Sequence, residues 1–197
     1  SQGGHKLYQL FKKVNATQEQ HRELREIVGE SKSLSSNDGQ VKEKVCVLPK
    51  EFLSLEHKHN STVYKHVMFY LKKRGITKED ILKYGIGYCE EGLYTNRIII
   101  PSYDENGQLN FFVGRDIFDS KMKYRNSPTS KDVVGFELLI NWDEPIVLCE
   151  GPFDGIAIKR NAIPLFGKTI LPKLKRKIIE KKVKTIYISL DTDAIGD

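Results

Sequence analysis

Two short apolar segments in the second half of the chain each end in acidic residues, with alternating strand and helix patterns between them. Residues 146–149 lead into Glu150, and residues 185–190 lead into Asp191. The predicted elements are a strand at 146–149, a helix at about 154–161, a strand at 163–166, a helix at about 171–183 and a strand at 185–190. This βαβαβ order predicts a parallel, Rossmann-like sheet.

The second helix of this unit has an apolar and a basic side. Its predicted buried residues are Leu171, Leu174, Ile178 and Ile179, and its predicted outer residues are Lys173, Lys175, Arg176, Lys177, Lys181 and Lys182. The basic side fits a nucleic-acid contact or an ordinary solvated face equally well. Just before it, Gly167-Lys168-Thr169 ends like a P-loop, but the first glycine of that motif would fall on Ala162, so no Walker A motif is present.

The first half of the chain predicts a helical start and a linker. Residues 5–29 have helical spacing of apolar positions, and a second helix is predicted to begin at Thr17, where Thr17 and Gln20 fit a capping box. Residues 31–44 are rich in serine, asparagine and glycine, which is typical of a loop or linker.

Two helices and a hairpin are predicted next. Ser61 is a favourable N-cap for a helix through Lys73, whose apolar face consists of Tyr64, Val67, Met68 and Leu71. Thr77 is expected to cap a short helix at 78–84, which Gly85 and Gly87 would stop. Strands at 97–101 and 109–113 flank a turn at 104–107, and residues 114–130 are polar and basic.

Composition and charge only partly narrow the class of protein to which this sequence belongs. With 197 residues, 39% hydrophobic and 10% aromatic, the chain can bury a core, and no apolar run approaches the ~20 residues of a membrane-spanning helix. Cys46, Cys89 and Cys149 are isolated and odd in number, which favours an intracellular protein without a disulfide framework. His57 and His59 lack partner cysteines, so we expect no zinc. The net charge of +6 fits a polyanion partner or a well-solvated surface.

The strand-ending acids form a candidate metal site. The carboxyl ends of parallel strands meet at one edge of a sheet, so we expect Glu150 and Asp154 near Asp191 and Asp193. Mg²⁺ takes oxygen ligands and is held by few carboxylates together with substrate phosphates. Taken alone, each aspartate is more often a helix cap or a turn residue, but two acidic motifs in one unit are much less expected as independent caps. Gly151 lets the backbone turn tightly beside a ligand.

These motifs resemble the Toprim domain, which DNA primases of the bacterial and phage type share with type IA and II topoisomerases, some nucleases and some recombination proteins. The matching residues are Glu150-Gly151-x-x-Asp154 and Asp191-x-Asp193. Further blocks occur in the order seen in the RNA-polymerase domain of DnaG-type primases: Tyr70-Leu71-Lys72-Lys73-Arg74-Gly75-Ile76, Tyr84-Gly85-Ile86-Gly87-Tyr88, Arg97-Ile98-Ile99-Ile100-Pro101, Asp104-x-x-Gly107, Gly114-Arg115 and Lys123-Tyr124-x-Asn126-Ser127-Pro128. The resemblance covers about residues 60–197.

The resemblance divides the chain into a helical appendage and linker at 1–45, a basic α+β subdomain of the polymerase domain at 46–140 and a partial, Rossmann-like Toprim subdomain at 141–197. Primases of this type usually also have an N-terminal zinc ribbon and a further acidic motif. This chain shows neither, and it stops at Asp197, four residues after Asp193. We therefore expect a truncated α/β fragment of a longer primase that lacks some metal ligands and synthesises primers poorly.

The resemblance implies template-directed synthesis of short RNA primers on single-stranded DNA. The implied catalytic residues are Glu150, Asp191 and Asp193, which together with Asp154 would bind Mg²⁺ or Mn²⁺. The implied nucleotide- and template-binding residues are Arg74, Arg115, Lys123, Tyr124, Asn126 and Lys168. The expected partners are the DNA template, ribonucleoside triphosphates, the RNA primer and a replicative helicase, with no membrane, in the cytoplasm of a bacterium or a phage-infected host cell.

Two alternatives stay open. The chain fits another Toprim enzyme, such as a nuclease or topoisomerase, or a non-catalytic module that binds nucleic acid or docks a helicase. A single lysine or arginine is more often a solvated surface charge, and Tyr124 also fits a packing role. Measuring divalent-metal and nucleotide binding distinguishes these functions.

Overall fold

The computed structural model describes residues 45–118 and 120–191. The predicted helices and linker at 5–44, and also Asp193, lie outside the described residues. The described part is a mixed α/β fold with one antiparallel and one parallel sheet, which confirms the predicted class. Its elements are β1 (Phe52–Ser54), α1 (Thr62–Lys73), α2 (Lys78–Lys83), β2 (Gly87–Cys89), β3 (Arg97–Tyr103), β4 (Leu109–Asp116), β5 (Tyr124–Asn126), β6 (Ile146–Cys149), α3 (Pro152–Ile158), β7 (Ala162–Pro164), α4 (Pro172–Glu180) and β8 (Ile186–Ser189), with 3₁₀ turns at Gly92–Tyr94 and Glu137–Leu139.

The antiparallel sheet is built around the predicted hairpin. Across the described residues its strand order is β1-β2-β3-β4-β5, and β3 and β4 form the longest pair. In the turn between them, the Asp104 carboxylate accepts hydrogen bonds of 2.9 Å from the backbone N–H groups of Asn106 and Gln108. Gly107 has a φ of 75°, which a residue without a Cβ adopts at little cost. The predicted hairpin is confirmed.

Three strands of this sheet, β1, β2 and β5, were not predicted. The interpretation of Gly87 as a helix stop was wrong, because Gly87 is the first residue of β2 and lies opposite Ser54 of β1. A Cβ at Gly87 would overlap the ring of Phe52, so only glycine allows the two strands to approach. Gly85, with a φ of 59°, is the residue that turns the chain after α2.

Helices α1 and α2 both begin at the predicted caps. The Ser61 hydroxyl accepts a 2.9 Å hydrogen bond from the backbone N–H of Tyr64, and Val67 and Leu71 are buried on the predicted face of α1. Thr77 and Asp80 form a reciprocal capping box at the start of α2.

The parallel sheet has the strand order β7-β6-β8 among the described residues, which confirms the predicted βαβαβ unit. Its boundaries differ by a few residues from the predictions. Helix α3 begins at Pro152 rather than Asp154, because a proline in the first turn has a preset helical φ and needs no N–H partner. It ends at Ile158, after which Lys159 takes a left-handed φ of 58°.

Strand β8, which lies beside β6 at one end of the described strand order, is exposed along its whole length. Two predictions for α4 were wrong. Ile179 is 67% exposed rather than buried. Lys177 is not a solvated outer residue: its ammonium lies 2.6 Å from a Glu105 oxygen and 2.9 Å from a Glu137 oxygen. Burial opposes the charge of Lys177, but the hydrogen bonds to these carboxylates raise its pKa overall. The ion pairs attach α4 to the β3–β4 turn through Glu105 and to the 3₁₀ turn Glu137–Leu139 through Glu137.

The main core joins the helices of the first half to α3. Phe153 and Ile156 of α3 pack in one buried cluster with residues of α1, α2, β2 and β3, while the parallel sheet and α4 form a second cluster around Leu148 and Leu174. Lys159 pairs with the buried carboxylate of Asp80. The predicted domain boundary at residue 140 stays a prediction. In the part of the chain that the structure describes, no helix is both long and apolar enough to cross a membrane.

Candidate functional site

Glu150 directly follows β6, at the carboxyl edge of the parallel sheet. The residue is only partly exposed, and its Oε1 atom is buried without a hydrogen-bond partner in the described structure. The Lys168 ammonium is 4.0 Å from the same oxygen, which gives charge attraction but is too long for a hydrogen bond. A buried carboxylate oxygen without a donor is unusual in a native protein and suits an external cation or donor.

The loop after β7 places Lys168 beside Glu150. The backbone N–H of Gly167 donates a 3.3 Å hydrogen bond to the carbonyl of Glu150, and Phe166 turns the chain with a φ of 52°. The structure thus brings together Glu150 and Lys168, which the sequence placed in one site.

Asp154 is exposed and lies in the first turn of α3. One of its oxygens accepts a 3.0 Å hydrogen bond from the backbone N–H of Gly151. This is the capping role that was the alternative to a metal role at this position. The cap uses one of the two carboxylate oxygens, so it neither requires nor excludes a metal ligand at this position. The metal role of Asp154 stays a prediction.

Asp191 is exposed just after β8, at the same sheet edge as Glu150. The parallel register aligns Cys149 with Ser189, so both acids follow paired strand ends. Within residues 45–118 and 120–191, no group of three histidine, cysteine, aspartate or glutamate side chains is arranged to hold a metal ion. Asp193, the remaining predicted ligand, lies outside the described residues. The catalytic and metal-binding roles of the four acids therefore stay predictions.

Aromatic and arginine side chains form a contiguous row next to this acidic edge. The Arg74 guanidinium carbon lies 4.7 Å from the ring centroid of Phe153 and 5.1 Å from that of Tyr70. The Arg115 guanidinium carbon lies 6.0 Å from the Tyr70 ring and 4.7 Å from the Tyr124 ring. These are cation–π distances. We call Phe153, Arg74, Tyr70, Arg115 and Tyr124 the aromatic–arginine row.

Two polar atoms of the row are buried and have no hydrogen-bond partner in the described part of the chain: the Tyr70 hydroxyl and Nε of Arg115. Two other members are accessible, since Arg74 is exposed and Tyr124 is 47% exposed, whereas Phe153 is buried. The row therefore combines open cationic and aromatic surface with polar atoms that the protein itself leaves unsatisfied.

Arg97 anchors the loop that precedes β5. This buried guanidinium donates a 2.8 Å hydrogen bond to the carbonyl of Met122 and lies 3.6 Å from the Asp116 carboxylate. Burial lowers the pKa of Arg97, and the Asp116 charge partly restores it. The loop in turn presents the exposed Lys123 and places Tyr124 opposite Arg115. Asn126, at the end of β5, accepts a 3.0 Å hydrogen bond from the Tyr94 hydroxyl through its backbone carbonyl.

Sequence reasoning missed Tyr70, Phe153 and Arg97 as members of the site. Tyr70 precedes Arg74 by four residues, and this spacing places two side chains on one face of a helix, so a signal existed for that pair. Phe153 and Arg97 gave no local signal, because their contacts join residues far apart in the chain.

Comparisons with known proteins agree with this geometry. No family model matches the chain. The uncharacterized protein MG010 of Mycoplasma genitalium is 34% identical over 144 residues, which cover 68% of this chain and 65% of that protein. Its homolog in Mycoplasma pneumoniae is 32% identical over 149 residues, covering 70% of this chain and 69% of the homolog. The DNA primase of Clostridium acetobutylicum is 27% identical over 149 residues, covering 68% of this chain.

Solved structures that resemble the chain include primase domains. A DnaG primase catalytic domain bound to single-stranded DNA has a TM-score of 0.56 at 17% identity and covers 66% of this chain and 56% of that one. The zinc-binding and RNA-polymerase domains of Aquifex aeolicus primase give a TM-score of 0.57 at 23% identity, covering 66% and 45%. The chain therefore has the fold of the DnaG-type catalytic core, and it spans 25% of the Clostridium primase and 65% of MG010.

Proposed function

The chain belongs to the family of the Mycoplasma pneumoniae MG010 homolog, and from this membership and its primase-like fold we propose that it is a nucleotidyl-transfer domain of the DNA primase type. Its proposed reaction is template-directed synthesis of short RNA primers. A ribonucleotide 3′-hydroxyl attacks the α-phosphate of an incoming ribonucleoside triphosphate, and pyrophosphate leaves. Its proposed partners are single-stranded DNA, ribonucleoside triphosphates and the RNA primer, and a replicative helicase stays a predicted partner.

The observation that carries this proposal is the aromatic–arginine row beside the acidic sheet edge. Guanidinium groups bind phosphates through paired hydrogen bonds, and aromatic rings stack on bases of any sequence. The row supplies both kinds of group on one surface, and the buried Nε of Arg115 has no hydrogen-bond partner among the described residues. A single-stranded nucleic acid offers phosphates to the guanidinium groups and bases to the accessible ring of Tyr124.

The acidic edge fits a divalent cation. Glu150, Asp191 and Asp193 are the proposed ligands, with Asp154 as an additional one, and the buried, unsatisfied Oε1 of Glu150 is the feature that supports them. Bound Mg²⁺ or Mn²⁺ would polarise the phosphates and lower the pKa of the attacking hydroxyl.

Basic and polar residues around this edge would orient the nucleotide. Lys168 lies beside Glu150 and can pair with a triphosphate oxygen that approaches the same edge. Arg115 and Tyr124, which are opposite each other on β4 and β5, would hold the phosphates and the base. Lys123 and Asn126 flank Tyr124 on the same loop and strand, within reach of the same ligand.

A primer-synthesis assay tests the proposal. The chain, its Asp191→Ala variant and its Glu144→Gln variant are incubated with single-stranded DNA, labelled ribonucleoside triphosphates and Mn²⁺. Glu144 is a matched control because it is an exposed acid that precedes β6, whereas Asp191 follows the neighbouring parallel strand β8 at the carboxyl edge. We expect short RNA products that disappear in the first variant and persist in the second. Equal product yields from all three proteins would contradict the proposed catalysis.

A second candidate is a nucleic-acid-binding module without catalysis. The observation in its favour is the aromatic–arginine row, which offers phosphate- and base-binding groups without the help of any metal ligand. Such a module would bind single-stranded DNA through the aromatic–arginine row yet give no RNA products and no cleavage of the labelled DNA. Divalent-dependent cleavage would instead favour a Toprim nuclease.

A further inference from the structure

We propose that Tyr70 is a positioning residue, whose ring holds Arg74 and Arg115 on one surface so that both guanidinium groups face one polyanionic ligand. The inference rests on the proposed nucleic-acid binding and goes beyond it, because it assigns a role to a residue that bears no charge and needs no contact with the phosphates.

Tyr70 is the middle member of the aromatic–arginine row. Its ring is the one that both guanidinium groups share, at 5.1 Å from Arg74 and 6.0 Å from Arg115. Phe153 approaches the same ring with a centroid distance of 6.1 Å in an edge-to-face arrangement. The ring therefore touches side chains from the end of α1, from β4 and from α3, which are far apart in sequence.

The two arginines need such a support. Arg74 is the C-cap of α1, is exposed, and has its backbone N–H within 3.2 Å of the Tyr70 carbonyl. Arg115 lies on β4, and its buried Nε has no hydrogen-bond partner among the described residues. A long side chain loses rotamer freedom when it binds a phosphate, and stacking on a fixed ring removes part of that loss before the ligand arrives.

Measurements of single-stranded DNA binding distinguish a positioning role of Tyr70 from a direct contact between Tyr70 and the DNA. We compare Tyr70→Leu, Tyr70→Phe and Phe69→Leu by fluorescence anisotropy of a labelled oligothymidylate over a range of salt concentrations. Phe69 is the matched control, because it is the adjacent aromatic residue of α1 and is 69% exposed. Tyr70→Leu should weaken binding by about tenfold, the effect of removing two exposed cation–π interactions. The same variant should reduce the salt slope by ~0.7 for each phosphate that the arginines no longer neutralise. Tyr70→Phe and Phe69→Leu should bind like the unmodified chain.

A double-variant comparison tests whether Tyr70 acts through the arginines. In a chain with Arg74→Ala and Arg115→Ala, adding Tyr70→Leu should change affinity no further, since the groups that it positions are gone. An equal reduction of affinity in both backgrounds would overturn the proposal, because the ring would then act on the ligand or on the fold directly.

A measurement without ligand keeps the two proposals distinct. NMR order parameters of the Arg74 and Arg115 Nε–H groups should fall in Tyr70→Leu and stay unchanged in Tyr70→Phe. If the unmodified chain fails to bind DNA, the proposed function fails, while the order parameters still decide the role of Tyr70. If the arginine variants weaken binding and Tyr70→Leu does not, the positioning role alone is refuted.

Discussion

The Arg97 guanidinium donates a 2.8 Å hydrogen bond to the backbone carbonyl of Met122, 25 residues further along the chain. This contact joins the buried start of β3 to the exposed loop that leads into β5. It fixes the loop from inside, so that Tyr124 enters β5 opposite Arg115.

Arg97→Met should lower the free energy of unfolding and the DNA affinity together. Asp116, which lies 3.6 Å from the Arg97 guanidinium, would be left as a buried charge without its cation. Breaking a buried pair in this way costs roughly 3 kcal/mol. Urea denaturation measures the change in stability, and the double variant Arg97→Met/Asp116→Asn should recover part of it. Unchanged stability in the single variant would show that the pair is dispensable.

Glu150→Gln should weaken Mn²⁺ binding, as measured by electron paramagnetic resonance of the free ion. We expect a decrease in affinity on the order of tenfold or more, because even residues that only orient a metal ligand contribute that much. Lys168→Met should have the opposite effect, since it removes the cation that lies 4.0 Å from Glu150. Glu144→Gln is the control, and a decrease as large as that of Glu150→Gln would contradict a site at the carboxyl edge.

Acid should destabilise the protein through Asp80. Burial raises the pKa of this carboxyl, but hydrogen bonds from Lys159 and Thr77 outweigh it and hold the pKa below its ordinary value of 3.8. A carboxyl with a lowered folded-state pKa contributes stability that is complete above the unfolded-state pKa and is lost as pH falls through the folded-state pKa. Urea midpoints from pH 6 down to about pH 2 should therefore fall less steeply for Asp80→Asn, which starts from a lower value at pH 6. Parallel curves would argue against the linkage.

Cys89 should resist alkylation in the native protein. Burial, with a smaller contribution from the charge of Glu51, raises the pKa of this thiol to about 12. The thiolate is the reactive form, so iodoacetamide should modify Cys89 only after denaturation, and peptide mass spectrometry locates the modification. Because the folded-state pKa is the higher one, the thiol contributes stability below pH ~9 that is lost as pH rises toward 12. Rapid labelling of Cys89 itself in the native chain at neutral pH would refute its burial, whereas labelling of the half-buried Cys46 would not.

Local signals were sufficient for the elements that local chemistry determines. The Ser61 and Thr77 caps and the Asp104–Gly107 turn follow from groups that bond within a few residues of themselves. Residues 52–54 and 124–126 are too short to show an alternating pattern, and they become strands only because β2 and β4 lie beside them.

The wrong predictions for α4 also arise from contacts between residues that are far apart in the chain. The partner of Lys177 is Glu105, 72 residues away, so a helical pattern could only place that lysine on the polar side. Ile179 and the residues of β8 are apolar, but their exposure depends on which other elements pack against them, and an apolar pattern does not encode that. The sequence singled out Arg74 and Arg115 as candidates, and it missed Arg97 and the Tyr70 ring that lies between the two candidates.

Phe153 belongs to both halves of the candidate site. It is three residues after Glu150, and its ring lies 4.7 Å from the Arg74 guanidinium. A cation that shifts the start of α3 therefore shifts an aromatic surface on which an arginine rests. Binding of the divalent ion and binding of DNA are then thermodynamically linked. The linkage is reciprocal: if the ion changes the DNA affinity by a given factor, DNA changes the affinity for the ion by the same factor.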